Sequence, residues 1–176
     1  MRFVVRSVAA TVLCLFACSP ISANAVVPGS KITVTFEGLV KRTKADPIQG
    51  GYDGLDFDGS MEATGKAVYK HDPGFQAVIR GGVACVLPQF NDLGSIRPHN
   101  RSSLISIKSG HFAAFGGGGR VITFNAYKAG ELVGTMNVNI ETVDTPIKFD
   151  KTFSNIDQFQ IIGEVAFDNL VVRFGE

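Results

Sequence analysis

Alternation of polar and apolar residues with a period of two is the feature that most constrains what this chain can fold into. Successive side chains of a β-strand point to opposite faces, whereas a helical pattern repeats about every 3.6 residues. In the segment 120–127, one set of alternate positions is Val121, Thr123, Asn125 and Tyr127, and the other is Ile122, Phe124 and Ala126. This segment is therefore predicted to be a strand with one apolar face.

The same period recurs along most of the sequence and predicts further strands. Lys31–Phe36 places Ile32, Val34 and Phe36 on one face. The other predicted strands are Leu104–Ile107, Leu132–Ile140, Gln158–Ile162 and Val165–Phe174, with turns at Lys128–Glu131 and at Gly163. The apolar runs Phe75–Ile79 and Val83–Leu87 flank Gly81-Gly82 and are predicted to form a β-hairpin.

One long stretch, Val40–Lys70, lacks a regular pattern and is predicted to be a loop-rich insertion after the first strand. Short strands separated by turn signals at regular spacing are typical of antiparallel sandwiches and barrels. The sequence shows no internal repeat or linker after residue 25, so residues 26–176 are predicted to form a single all-β domain.

The first 25 residues have the pattern of an export signal. Arg2 and Arg6 provide a positive start, a short apolar run follows, and Ala23-Asn24-Ala25 fits a signal-peptidase cleavage site. The protein is therefore expected to be secreted or periplasmic, with a mature chain that begins near Val26. Leu15–Cys18 offers an alternative, because a lipobox there would make Cys18 a lipidated N-terminus.

Cysteine usage and charge narrow the function classes. Loss of residues 1–25 would leave Cys85 as the only cysteine, and its aliphatic neighbours predict a buried thiol rather than a nucleophile. The chain has 17 basic and 16 acidic residues, and loss of Arg2 and Arg6 changes the net charge from +1 to about −1. The basic residues are scattered, so neither nucleic acid nor an anionic membrane is an expected partner.

Several short motifs resemble the jelly-roll β-sandwich domains of exported bacterial proteins, including many that carry a PEP-CTERM sorting tail. They are Phe36–Leu39, Gly51–Leu55, Ser109–Ala114, Val121–Tyr127, Phe153–Phe159 and Phe167–Val172. The resemblance implies a jelly-roll fold similar to galactose-binding and carbohydrate-binding modules. The residues Arg173–Glu176 do not match the sorting tail, so surface anchoring by that route is not implied.

Domains of this kind often hold a structural calcium ion where the first and last strands meet, and the resemblance places Glu37, Asp168 and Asn169 there. Calcium takes about six to eight oxygen ligands, so two carboxylates and an amide are only part of a site. The alternative interpretation is that Asp168 and Asn169 bind backbone groups at a strand end.

The acidic stretch Gly50–Ser60 does not match a calcium loop by its spacing. Counted back from Gly59, Gly54 stands where an EF-hand has its first ligand, and Gly65 stands where it has its glutamate. A calcium-binding nonapeptide repeat is also absent from the sequence. The stretch is therefore interpreted as a polar loop or an acidic turn between strands.

Sugar binding relies on flat aromatic platforms with a few polar groups beside them. The sequence has no Trp and three Tyr, and its 14 Phe are mostly at inward positions of the predicted strands. Tyr52 is the only residue predicted to serve as such a platform. The predicted ligand-binding residues are Tyr52, Asp53, Arg97, His99 and Asn100.

No catalytic motif accompanies these residues. The three His are dispersed without metal-ligand spacing, and Gly116–Gly119 precede a strand instead of the helix that a phosphate-binding loop requires. The sequence therefore predicts a secreted, non-catalytic binding or adhesion module that recognises a glycan or a cell-surface component. The alternatives are a matrix-associated exported protein that acts through protein contacts and a small carbohydrate-active enzyme.

Overall fold

The computed structural model describes residues 27–89 and 92–175. The predicted export signal over residues 1–25, together with the alternative lipidation site at Cys18, lies outside these ranges. Within them, the helices are too short and too polar to cross a lipid bilayer.

The described residues form twelve strands, one α-helix and one 3₁₀ helix. The strands are β1 Lys31–Val34, β2 Ala45–Pro47, β3 Leu55–Gly59, β4 Glu62–Gly65, β5 Val83–Leu87, β6 Leu93–Pro98, β7 Ile105–Ala114, β8 Arg120–Lys128, β9 Glu131–Ile140, β10 Thr145–Lys148, β11 Gln158–Ile162 and β12 Val165–Phe174. The α-helix α1 spans Pro73–Val78, and the 3₁₀ helix spans Lys151–Phe153.

The strands form two antiparallel sheets that pack face to face. The larger sheet has the order β10-β7-β12-β5-β4-β2, and β1 pairs with the other half of β12 beyond β5. The smaller sheet has the order β3-β6-β11-β8-β9. The predicted all-β, jelly-roll-like antiparallel sandwich is therefore confirmed.

The core between the sheets is rich in phenylalanine. Phe112 of the larger sheet contacts Phe124 of the smaller sheet edge to face, with ring centroids 5.1 Å apart. Phe124 stacks on Phe159 at 5.8 Å, and Phe112 stacks on Phe167 at 5.6 Å. All four rings are fully buried. Along the regular stretches of each strand, alternation then directs the intervening residues to the outer faces.

The hairpin predicted for residues 75–87 is wrong in its first half, because Pro73–Val78 forms α1 instead of a strand. Asp72 caps this helix by accepting the Phe75 N–H at 2.7 Å, and Pro73 occupies the first turn, where its missing N–H has no consequence. The sequence Asp72-Pro73 is thus a helix-start signal here, although the same pair of residues is also common in turns. The second half, Val83–Leu87, is β5 as predicted.

The prediction of a loop-rich insertion over Val40–Lys70 is also wrong, because β2, β3 and β4 lie within it. Strand β3 passes through the acidic stretch, with Leu55 and Phe57 buried and with Asp56 and Asp58 directed outward. Buried and outward residues do alternate in β3, but over only five residues. The neighbouring glycines and aspartates therefore predict a turn more strongly than this short pattern predicts a strand.

Cys85 is fully buried in β5, as the sequence predicts. Burial raises the pKa of its thiol well above the usual range, which suppresses the reactive thiolate. This environment supports a packing role for the side chain.

We predict that Asp72→Ala destabilises the domain by about 1–2 kcal/mol, because Asp72 caps α1 and also accepts the Gly116 N–H at 2.8 Å. Urea unfolding would measure the change. Lys70→Ala, at an exposed neighbouring position, is the control and should alter the free energy of unfolding by less than about 0.5 kcal/mol. Equal stability of the two variants would contradict the cap.

Candidate functional site

The outer face of the smaller sheet carries a continuous field of polar side chains. The strand registers place Asp56, Arg97, Gln158 and Tyr127 in one row across the sheet, from β3 to β8. A second row comprises Asp58, Ser95, Gln160, Asn125 and Thr135, from β3 to β9. The buried aliphatic and phenylalanine side chains of the same strands face the opposite way, into the core.

Hydrogen bonds connect the two rows. The Arg97 guanidinium donates to Gln158 Oε1 at 2.9 Å and lies 3.7 Å from the Asp58 carboxylate. Gln158 Nε2 in turn donates to Ser95 Oγ at 2.9 Å. Further along, Asn125 Nδ2 donates to Gln160 Oε1 at 3.0 Å, and Thr135 Oγ1 donates to Asn125 Oδ1 at 2.9 Å. These bonds hold the side chains in one arrangement before any ligand arrives.

Tyr127 provides an aromatic surface on this face. Tyr127 is directly opposite Gln158 in the register of β8 and β11, yet its hydroxyl donates to Gln160 Oε1 in the next row at 3.3 Å. The ring must therefore lie along the sheet surface to reach that oxygen, and the side chain is only partly buried. Part of the Tyr127 side chain is therefore accessible to solvent on this face.

A cleft of about 280 Å³ lies at one end of the polar field. It is lined by Arg97, Pro98, Arg101, Gly130, Asp157 and Gln158. The cleft thus extends the first row towards the β8–β9 turn. An elongated ligand on the sheet surface would find further hydrogen-bonding groups there.

Three of the predicted ligand-binding residues lie near this field. Arg97 is part of it, and His99 is placed at its edge by a hydrogen bond between His99 Nδ1 and Asp56 Oδ1 at 2.7 Å. Asn100 has a different role, because its side chain accepts the Ser102 N–H and hydroxyl at 3.2 and 2.8 Å and so orders the β6–β7 loop.

Asp56 is the centre of the contacts at that edge. It accepts hydrogen bonds from the Gly51 N–H at 2.9 Å and from the Arg101 guanidinium at 2.7 Å, in addition to His99. Partial burial raises the pKa of Asp56, but the hydrogen bonds and positive charges outweigh this effect and the net pKa is lowered. The carboxylate therefore stays ionised and fastens the loop before β3 to the β6–β7 loop.

The predicted platform Tyr52 and its neighbour Asp53 do not join the polar field. The Tyr52 ring packs on the core side of β3, stacked on Phe36 at 6.2 Å and tilted against Phe57 at 6.4 Å. Burial, together with nearby carboxylates, raises the pKa of its hydroxyl to about 12. Asp53 is exposed in a left-handed backbone conformation, with φ of 51°.

The structure does bring Glu37 and Asp168 together, at the point where β12 changes partner from β5 to β1. The Asp168 carboxylate accepts the Arg80 N–H at 3.2 Å and the Asn169 N–H at 2.7 Å. Glu37 Oε1 accepts the Val83 N–H at 3.2 Å. The backbone of Asn169 adopts a φ of 52° at a β-bulge, so this residue shapes the strand at the junction.

Burial raises the pKa of Asp168 to about 6, and repulsion from Glu37 acts in the same direction. Among the described residues, however, no group of three or more His, Cys, Asp or Glu side chains has the arrangement of a metal site. The two carboxylates would therefore have to be supplemented by backbone carbonyls and water to complete the six or more oxygens that calcium requires. Their oxygens already serve backbone N–H groups, as the alternative interpretation of Asp168 expects.

Sequence reasoning missed most of the polar field, namely Asp58, Ser95, Asn125, Tyr127, Thr135, Gln158 and Gln160. The signal was nevertheless present. The alternation that assigns Ile122, Phe124 and Ala126 to the core also assigns Asn125 and Tyr127 to the outer face. The alternation does not indicate the order of the strands in the sheet. That order decides whether outward residues of β8 and β11 become neighbours.

No protein-family model matches the chain, and no curated protein matches it either. Among solved structures, it is similar to a family 29 carbohydrate-binding module from Piromyces equi, with 9% identity, a TM-score of 0.45 and coverage of 84% of this chain and 91% of that one. It is also similar to TmCBM61 in complex with β-1,4-galactotriose, with 8% identity, a TM-score of 0.34 and coverage of 69% and 83%. Similarity at identities this low does not extend to the residues of a site.

We predict that Asp168 makes the domain less stable as the pH rises from about 4 to above 6 in EDTA. Its pKa in the folded protein, about 6, lies above the usual value of 3.8, so the folded state holds the proton more tightly than the unfolded state does. This preference stabilises the fold at low pH and is lost as the carboxyl ionises.

Asp168→Asn removes the titration and keeps the side-chain shape. The free energy of unfolding of the original protein should therefore fall relative to that of Asp168→Asn across this pH range, as measured by urea unfolding. Parallel pH profiles for the two proteins would show that Asp168 does not have the raised pKa.

Proposed function

We propose that this protein is an exported, non-catalytic binding module that holds a glycan on the outer face of its smaller sheet. The observation that supports the proposal is the hydrogen-bonded field of amides, hydroxyls, one arginine and one tyrosine that spans β6, β11, β8 and β9. Its members lie on regular strands, so the core holds them in place.

The chemistry of the field suits sugar hydroxyls. Amide side chains both donate and accept, which matches hydroxyl groups that do the same. Gln160 Oε1 accepts from both Asn125 and Tyr127, and its Nε2 group has no hydrogen-bond partner among the described residues. The Tyr127 ring face would pack against the C–H groups of a pyranose ring. A glycan would therefore meet both kinds of contact on one rigid surface.

The same residues support binding in preference to hydrolysis. Glycoside hydrolysis commonly needs one carboxyl with a raised pKa as the general acid. On this face the Asp56 carboxyl has a lowered pKa, and Asp58 lies beside Arg97. Asp168, whose pKa is raised, belongs to the larger sheet.

A second candidate function, protein contact, has its own supporting observation. Leu93, Val121 and Leu132 are between 43% and 65% exposed at the margins of the polar field. Protein interfaces concentrate their binding energy in apolar and aromatic residues at the centre of the contact. Here the centre of the field is polar and the exposed apolar residues lie at its edges, which favours a glycan over a protein as the ligand.

We also propose that the domain binds calcium as a structural ion. Glu37 and Asp168 would hold it, and the ion would offset the repulsion between their carboxylates beside Tyr52. Its effect would be to fasten the end of β1 and the start of β5 to β12. The polar field lies on the other sheet, so glycan binding is not expected to need the ion.

We predict that Gln160→Ala weakens glycan binding at least about tenfold, because it removes hydrogen-bonding groups from the middle of the field and leaves Asn125 and Tyr127 without their shared acceptor. A glycan array and pull-down on insoluble polysaccharides would identify the ligand, and calorimetry would then compare the variants. Gln49→Ala, an exposed position in the loop after β2, is the matched control.

Val121→Ser separates the two candidate functions. It removes an exposed apolar group at the margin and should leave glycan affinity unchanged, whereas it would weaken a protein contact. Failure of the folded protein to bind any polysaccharide, with calcium present, would overturn the glycan proposal.

We predict that millimolar calcium raises the melting temperature of the domain relative to EDTA, because only the folded protein brings Glu37 and Asp168 together. The increment should disappear in Asp168→Asn and persist in Asp46→Asn, which alters an exposed carboxylate on β2. Equal melting temperatures with calcium and with EDTA would exclude the structural ion and leave the glycan proposal intact.

A further inference from the structure

A second cleft, of about 430 Å³, has a strongly basic lining that the proposed glycan site does not use. It is lined by Leu104, Ser106, Lys108, Lys128, Ser154, Asn155, Arg173, Phe174 and Gly175. Three of these residues are cationic at neutral pH. Among the described lining residues, none is acidic, so the cleft has a concentrated positive charge although the chain as a whole is nearly neutral.

The fold brings these cations together from three strands. Lys108 lies on the outer face of β7, Arg173 lies near the end of β12, and Lys128 ends β8 of the opposite sheet. The register of the larger sheet also pairs Arg173 with Ser106 on one side and with Lys31 of β1 on the other. The sandwich therefore gathers positive charge at this end from residues that are far apart in sequence.

The polar groups around the cations are held in place. Lys108 Nζ donates to Ser154 Oγ at 3.1 Å, and the Asn155 N–H donates to Ser106 Oγ at 3.0 Å. Two carboxylates lie close to Ser154 and Asn155 in sequence. Asp150 accepts the Thr152 N–H, and Asp157 accepts the Ala129 N–H. Lys128 and Arg173 form no ion pair within the described residues. Their charges are available to a ligand.

We propose that this cleft binds a tetrahedral oxyanion group, a sulfate or phosphate ester carried by a larger molecule. Arg173 and the two lysines would contact the oxyanion by charge-assisted hydrogen bonds, and the serine hydroxyls would complete the donor set. The cleft is much larger than a free sulfate or phosphate ion, so it has room for the part of the molecule that carries the group. Binding would relieve the mutual repulsion of the three cations.

The position of the cleft relates it to the polar field. The segment 154–158 lines both clefts, with Ser154 and Asn155 on the basic side and Asp157 and Gln158 on the other. The oxyanion site does not depend on glycan binding, however, because its donors are separate from those of the field. The two proposals can therefore fail independently.

Calorimetric titration with glucose 6-sulfate and glucose 6-phosphate, at constant ionic strength, tests the proposal and distinguishes the two sources of the oxyanion. Unmodified glucose is the control ligand, and sodium sulfate and sodium phosphate measure the contribution of the ion alone. We expect one or both esters to bind more tightly than the corresponding ion and than glucose, with an affinity that falls as salt rises.

The double variant Lys128→Gln/Arg173→Gln should weaken ester binding by at least about tenfold, since each lost charge removes a charge-assisted hydrogen bond. Lys44→Gln, before β2 at the far edge of the larger sheet, is the matched control and should bind like the original protein. Melting curves verify that the variants fold, as expected for these surface side chains. Lack of ester binding by the folded protein, or equal affinity of the double variant, would overturn the proposal.

Discussion

Burial of phenylalanine between the two sheets is the interaction on which the rest of this structure depends. Phe112 of the larger sheet packs edge to face against Phe124 of the smaller one, while Phe167 stacks on Phe112 and Phe159 stacks on Phe124 within their own sheets. Because side chains alternate along a strand, the burial of Phe124 and Phe159 forces Asn125, Tyr127, Gln158 and Gln160 outward. The polar field is thus held in place by the packing of the core on the opposite face of the same strands.

Strand β12 is the second constraint, since it joins the two parts of the larger sheet. It pairs with β7 along its length, while its other edge pairs first with β5 and then with β1. The change of partner coincides with the bulge at Asn169, where the Asp168 carboxylate accepts the Arg80 N–H. The bulged strand continues to Arg173, which reaches the basic cleft. One strand therefore connects the carboxylate pair with the proposed oxyanion site.

The sequence predicted the fold class and the long strands β8, β9 and β12 correctly, because eight or more alternating residues give an unambiguous period, whereas it predicted only the first part of the ten-residue β7. It failed where the local signal was short or had two interpretations. Asp72-Pro73 begins a helix but is also a common turn, and β3 has only five residues among glycines and aspartates. Of the predicted binding residues, Arg97 belongs to the polar field and His99 lies at its edge. Tyr52 does not, because contact with Phe36 and Phe57 decides its direction.

The sequence by itself determined which residues of each strand face the core, since the hydrophobic effect acts on the local period of two. It also determined that Cys85 is buried. Only the tertiary structure decided which outward residues become neighbours. Gln160 meets Asn125 because β11 pairs with β8, and Lys128 lies near Arg173 because the two sheets pack at that end. Strand order depends on packing between segments distant in sequence, so no local pattern encodes it.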